Sequence, residues 1–177
     1  MPIEKSSFSN LATDKEESFP LDSQWISGFC NGEGDSSFFI IQNLQTNDVQ
    51  AVFKIGIKEL SLLLRIKKFF NLGHINYDDK SKEFIIYKRS DILERVIPHF
   101  NKYPLIGHKL SIFNIFSEIV TFIDSETHLT SPEAKAKLDT LIDKIRIIGN
   151  KGFSNISLQK LTTDGNDNLY NSTKNFI

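Results

Sequence analysis

A change of hydrophobic period over residues 49–70 constrains the fold of this chain more than any other feature. Val49, Ala51, Phe53, Ile55 and Ile57 alternate with Gln50, Val52, Lys54 and Lys58, the period-2 pattern of a strand with one fully apolar face. From Lys58 to Phe70 the spacing turns helical, carried by Leu60, Leu63 and Leu64. The same switch recurs elsewhere. Leu21, Trp25, Ile26 and Phe29 predict a helix to about Asn31, with Asp22 or Ser23 as its N-cap and Gly34 as its stop. Ser36 to Asn43 then reads as a strand, with Asn47-Asp48 supplying the following turn. Gly73–Tyr77 and Glu83–Lys88 read as a hairpin around Asp78-Asp79-Lys80. Ser90-Asp91 opens a helix that Pro98 should end, and longer helices follow over Lys109–Ser125 and Pro132–Ile148, the second opened by Ser131-Pro132-Glu133. The order is α-β-β-α-β-β-α plus C-terminal helices, an α+β fold with no internal repeat.

Composition narrows the function classes. The chain has 177 residues, 40% apolar and 24% charged, with a net charge of −1. That suffices for one domain with tails and creates no overall basic field. One cysteine, Cys30, excludes a disulfide framework or a Cys-rich zinc site and reads as a small buried apolar residue. No apolar run approaches the ~20 residues that span a bilayer, so no membrane partner is expected. His74, His99, His108 and His128 lack metal-ligand spacing. Residues 1–20 read as a flexible or partner-ordered arm, 21–155 as the domain and 156–177 as a polar tail. Lysine far outnumbers arginine, and Phe, Ile and Asn are abundant, the bias of an A/T-rich genome such as an organelle's. Glu4, Asp14, Glu16 and Glu17 at the N-terminus are unlike an Arg-rich import leader, so synthesis in a mitochondrion or other organelle is expected.

The chemically informative segment is Trp25-Ile26-Ser27-Gly28-Phe29-Cys30-Asn31-Gly32-Glu33-Gly34. Gly28 and Gly32, four apart on one helix face, permit close approach of another helix. Trp25 and Phe29 read as packing residues. Glu33, between two glycines at the helix end, offers a carboxylate to a hard cation such as Mg²⁺, which takes one or two carboxylates plus phosphate oxygens and waters. The plainer alternative is a glycine-stopped helix with an incidental glutamate.

This segment resembles the LAGLIDADG homing endonuclease motif, with Ile26 through Gly34 on its nine positions and Glu33 at the acidic, metal-binding one. Further matches are Phe53-Lys54-Ile55-Gly56-Ile57 before Leu60-Ser61-Leu62-Leu63, Pro98 through Leu105 with Lys109, His128-Leu129-Thr130 and Asn150-Lys151-Gly152. The likeness spans about residues 21–155 and is nearest to single-motif, organellar intron-encoded members. It implies an αββαββα half-unit with extra C-terminal helices. The motif helix would pack on a second copy, from a homodimer mate or another chain, and two sheets would form a saddle on DNA. Glu33 would bind metal, Mg²⁺ in an active enzyme, and Lys109 would be the auxiliary catalytic cation. The saddle face carried over from the motif register is Ser37, Phe39, Ile41, Asn43, Gln50, Val52, Lys54, Ile85 and Tyr87. Ser37, Asn43, Gln50, Lys54, Lys58 and Tyr87 are its candidate nucleic-acid contacts.

Three features point away from cleavage. The family's polar residue at the end of the second strand is replaced near Ile57–Lys58, and the segment before Leu60 is short. The saddle face is greasy, although base edges are read by hydrogen bonds. A near-neutral core also gains little from phosphate contacts. The sequence therefore supports two readings. One is a metal-dependent, dimeric, site-specific DNA endonuclease. The other is a cleavage-inactive descendant acting as an RNA-binding maturase or as a subunit of a large organellar ribonucleoprotein such as the mitochondrial ribosome. On either reading, Phe39, Ile41, Val52, Ile85 and Tyr87 are expected to form an exposed apolar patch on an isolated subunit.

Overall fold

Asp22 sets where the first helix begins: its Oδ1 accepts the amide N–H of Gln24 at 2.7 Å and of Trp25 at 3.2 Å, donors that a helix start leaves without internal partners. The structure, a computed structural model, describes residues 19–32, 37–43, 46, 48–77, 82–126 and 131–149. The expected N-terminal arm and C-terminal tail, and with them Glu33, fall almost wholly outside those residues. Along the chain run α1 (Ser23–Gly32), β1 (Phe38–Gln42), β2 (Val49–Gly56), α2 (Leu60–Phe70), β3 (His74–Tyr77) and β4 (Lys82–Ile86). Next come α3 (Arg89–Asp91), a π-helical stretch (Ile92–Val96), α4 (Ile97–Lys102), α5 (Gly107–Asp124) and α6 (Pro132–Gly149). This is the expected α+β order, with the two extra C-terminal helices.

The strands form one antiparallel sheet in the order β1-β2-β4-β3. Its register pairs Phe38 with Phe53, Phe53 with Ile86 and Ile55 with Phe84. Because side chains alternate between faces, that register stacks Phe38, Phe53, Ile55, Phe84 and Ile86 on one side, against the helices. Phe38 sits at the centre. Its ring centroid lies 5.5 Å from Phe53, 5.3 Å from Phe100, 5.3 Å from Phe113 and 5.1 Å from Phe116. The five residues expected in the core, Phe53, Ile55, Leu63, Phe84 and Ile86, are all buried there. Gly73 enters β3 at φ +85°, and an added Cβ would lie 2.6 Å from the Phe84 ring and 2.9 Å from the Ile85 carbonyl. Only glycine supplies both that backbone and that clearance.

Pro98 does not end its helix. The helical path continues to Lys102, because the chain widens to a π turn just before the proline. Ile97 donates its N–H to the Ile92 carbonyl five residues back. Pro98 then sits in the first turn of α4, where its missing N–H costs nothing. The start of α6 follows expectation, with Ser131 Oγ accepting the Ala134 N–H at 3.0 Å. Truncating Phe38 to alanine removes the ring that links sheet and helices. The Phe38→Ala protein is expected to lose about 3–5 kcal/mol of stability, read from urea midpoints; a loss under about 1 kcal/mol would contradict the central place given to this ring.

Candidate functional site

Helix α1 has two unlike sides. Ile26, Ser27 and Cys30 point into the domain and are buried, whereas Gln24, Trp25, Gly28 and Gly32 are exposed. Among the described residues, a Cβ built at Gly28 or Gly32 meets nothing within 4 Å. The two glycines therefore leave bare helix backbone on the outer side, and their expected helix partner is not supplied by the described part of this chain. Trp25 lies over Phe29, ring centroids 5.0 Å apart and planes 17° from parallel; Phe29 is half-buried and Trp25 stays exposed.

The inner side of α1 is tied down by two polar bonds. Ser27 Oγ donates to the Tyr103 carbonyl at 2.6 Å and lies 3.3 Å from His99 Nε2. With its one proton spent on Tyr103, the hydroxyl accepts from His99, so Nε2 carries the imidazole proton. His99 is packed among Phe69, Phe70, Phe100 and Tyr103. Burial among these rings lowers its pKa from 6.5 to about 4. At the helix end, Asn31 Oδ1 accepts the backbone N–H of Ile106 at 3.1 Å. Ile106 immediately precedes α5, and Lys109 lies half-buried in the first turn of that helix. Asn31 thus fixes the end of the motif helix against the start of the helix that carries Lys109. Glu33, the residue after Gly32, lies outside the described residues. Among the described residues no cluster of three metal-capable side chains is present.

The sheet face away from the helices differs from expectation. Phe39, Ile41, Val52 and Ile85 form a second apolar cluster, with Tyr87 packed against it. Phe39 and Ile41 are each 9% exposed and Val52 and Ile85 0%, so the expected exposed apolar patch is absent. Tyr87 is half-buried and stacks on His74 at 5.3 Å and 14°. Ser37 and Asn43 are buried as well. Asn43 Oδ1 accepts the Thr46 N–H, three residues on, at 3.2 Å. Gln50 is half-buried and Lys58 exposed. Lys54 Nζ bonds Glu83 Oε1 at 2.8 Å and stands 5.0 Å from the Phe39 ring centroid. Sequence reading missed Glu83 and His74 on this face. Glu83 was within reach, since it sits two and four residues from Ile85 and Tyr87 on one strand.

The family model for LAGLIDADG endonucleases matches residues 26–120. The chain belongs to the LAGLIDADG endonuclease family. Among relatives of this LAGLIDADG chain, "Probable intron-encoded endonuclease 2" of Neurospora crassa is 31% identical over 137 residues, 73% of this chain and 29% of that protein. The LAGLIDADG homing endonuclease I-GzeII, solved in complex with its DNA target, matches with TM-score 0.63 and 27% identity over 69% of this chain and 43% of that one. I-SmaMI, solved bound to uncleaved DNA target in the presence of calcium ions, matches with TM-score 0.62 and 28% identity over 76% and 46%. The chain spans less than half the length of these relatives. They are endonucleases by name.

The buried His99 generates a pH prediction. Above pH 6.5 neither folded nor unfolded chain protonates this residue, so it costs nothing. Between pH 6.5 and about 4 the unfolded chain takes up a proton that the folded one refuses, and stability falls as pH falls. At pH 5 the loss reaches up to about 2 kcal/mol. His99→Gln is expected to show that much less acid sensitivity between pH 7.5 and 5, compared by urea midpoints; equal slopes in the two proteins would contradict the assignment.

Proposed function

We propose that this LAGLIDADG chain supplies one half of a metal-dependent, site-specific DNA endonuclease encoded within an organellar intron. The observation that carries the reading is the pairing of a bare outer helix face with a tethered helix end. The Gly28/Gly32 stripe suits a second motif helix from another copy or chain, because small residues allow backbones to approach closely. The Asn31–Ile106 bond holds the start of α5, and hence Lys109, beside the end of the motif helix. An auxiliary cation belongs there, where it stabilises charge developing on a phosphate. The sheet face, with Lys54, Lys58, Gln50, His74 and Tyr87 on or beside it, would lie against the DNA groove.

Glu33 would hold the metal. One carboxylate per half suits Mg²⁺, which completes its shell from a second carboxylate, phosphate oxygens and waters. Once bound, the ion supplies water activation and stabilisation of the leaving oxygen. The protein's own share is to hold two motif ends together, so that each acidic residue faces one strand. Ser37 and Asn43 contribute less to DNA contact than the sequence alone suggests, because both are buried.

Two variants separate the parts of this proposal. Glu33→Gln keeps shape and deletes charge, so cleavage should fall at least a hundredfold while duplex binding changes little; unimpaired cutting by this variant would move the chemistry elsewhere. Gly32→Leu places a branched side chain on the open stripe, where the isolated domain has room for it. It should fold normally yet lose association in sedimentation velocity. An unchanged sedimentation coefficient would mean that the outer face of α1 has no partner.

A further inference from the structure

Among the described residues, the groove-facing side of the sheet carries a charged pair in an apolar setting. Lys54 on β2 and Glu83 on β4 lie on neighbouring strands, where Lys54 pairs with Ile85 and Gly56 with Glu83. Their Nζ and Oε1 atoms are 2.8 Å apart, with 25% and 17% of each side chain exposed. Phe39 flanks the ammonium, and Val52 and Ile85 beside it are fully buried. Opposite Glu83, Gly56 contributes no side chain, and among the described residues a Cβ there would find only the Lys82 carbonyl, at 3.9 Å. Gly56 therefore does not wall off the carboxylate from the side of β2. The pair is partly dehydrated and keeps part of each side chain exposed.

We propose that Lys54 and Glu83 act as one reading unit for a single base pair, preferring G·C with the guanine on the Lys54 side. This rests on the DNA-binding reading above and names a specificity determinant within it. In the major groove guanine presents the acceptors N7 and O6, and cytosine the N4 donor. O6 and N4 are themselves hydrogen-bonded, so they lie about 2.9 Å apart. A donor and an acceptor bonded to each other at 2.8 Å offer the complementary pattern at the same spacing. An ammonium has three N–H groups and a carboxylate about four acceptor positions, so each keeps its mutual bond while contacting the base edge. Lysine spans both guanine acceptors and Glu83 takes the cytosine N–H. A·T with adenine on the Lys54 side leaves the ammonium only N7 and sets the adenine N6 donor where guanine offers O6.

The test uses the full chain and a randomised duplex DNA library, from which bound sequences are selected and read. Wild-type protein should enrich a consensus containing one G·C position that depends on this pair. The exchange K54E/E83K keeps the ion pair and should invert that position to C·G, with other positions unchanged. The neutral variant K54M/E83Q should melt within a few degrees of wild type and lose the preference at that position alone. Opposing the original base pair to the exchanged protein should weaken binding roughly tenfold or more. A consensus unaltered by either variant would overturn the reading unit while leaving the DNA-binding proposal standing. Failure of wild-type protein to enrich any sequence would end both.

Discussion

The whole domain depends on a sheet that is apolar on both faces. A strand such as β1, with Phe38 on one side and Phe39 and Ile41 on the other, gains most from burial when both sides are covered. On the helix side the cover is complete. Five phenylalanines, Phe38, Phe53, Phe100, Phe113 and Phe116, meet ring to ring, and they come from β1, β2, α4 and α5. Rings so arranged cannot slide without opening voids. Strand register, the path of α4 and the seat of α5 are therefore one packing solution. Helix α1 docks on that solution and not the reverse, since its inner contacts Ser27 and Asn31 bind groups placed by α4 and by the chain leading into α5.

The other side of the sheet shows a different compromise. Its central residues are too apolar to read base edges, yet they are not left open to water. Polar function is displaced to their surroundings, to the Lys54–Glu83 pair and the His74–Tyr87 stack. On the proposed DNA-binding reading, a surface built this way would make few hydrogen bonds, each in a setting where water competes poorly.

Most of the architecture was legible in the sequence because local period and tertiary burial agree. The alternation of Val49 through Ile57 and the helical spacing of Leu60, Leu63 and Leu64 each report the face that is buried. The Asp22 cap and the Ser131 start were readable for the same reason: their bonds are local. Pro98 was misread because a proline normally stops a helix, and the π turn that seats it carries no sequence signature of its own. The candidate site was legible as a motif but not as an arrangement. The spacing of Gly28 and Gly32 announces an open helix face, whereas the tie from Asn31 to Ile106 joins positions 75 apart and leaves no local trace. Burial of Ser37 and Asn43 was likewise invisible, since alternation assigns a residue to a face without saying whether that face is wet.

The π turn before Pro98 has a bearing on how this chain tolerates change in length. It holds one residue more than an α-helical turn, and each residue of a helix accounts for about 100° of rotation. Loss of any one residue between Ile92 and Val96 would leave no wide turn in which to seat Pro98, whose ring would then meet the carbonyl four residues back. The helix would kink or break at the proline, carrying His99 away from Ser27 and Phe100 away from Phe38. The motif helix would lose its tether at Ser27. A deletion should therefore be far less acceptable here than at an exposed turn.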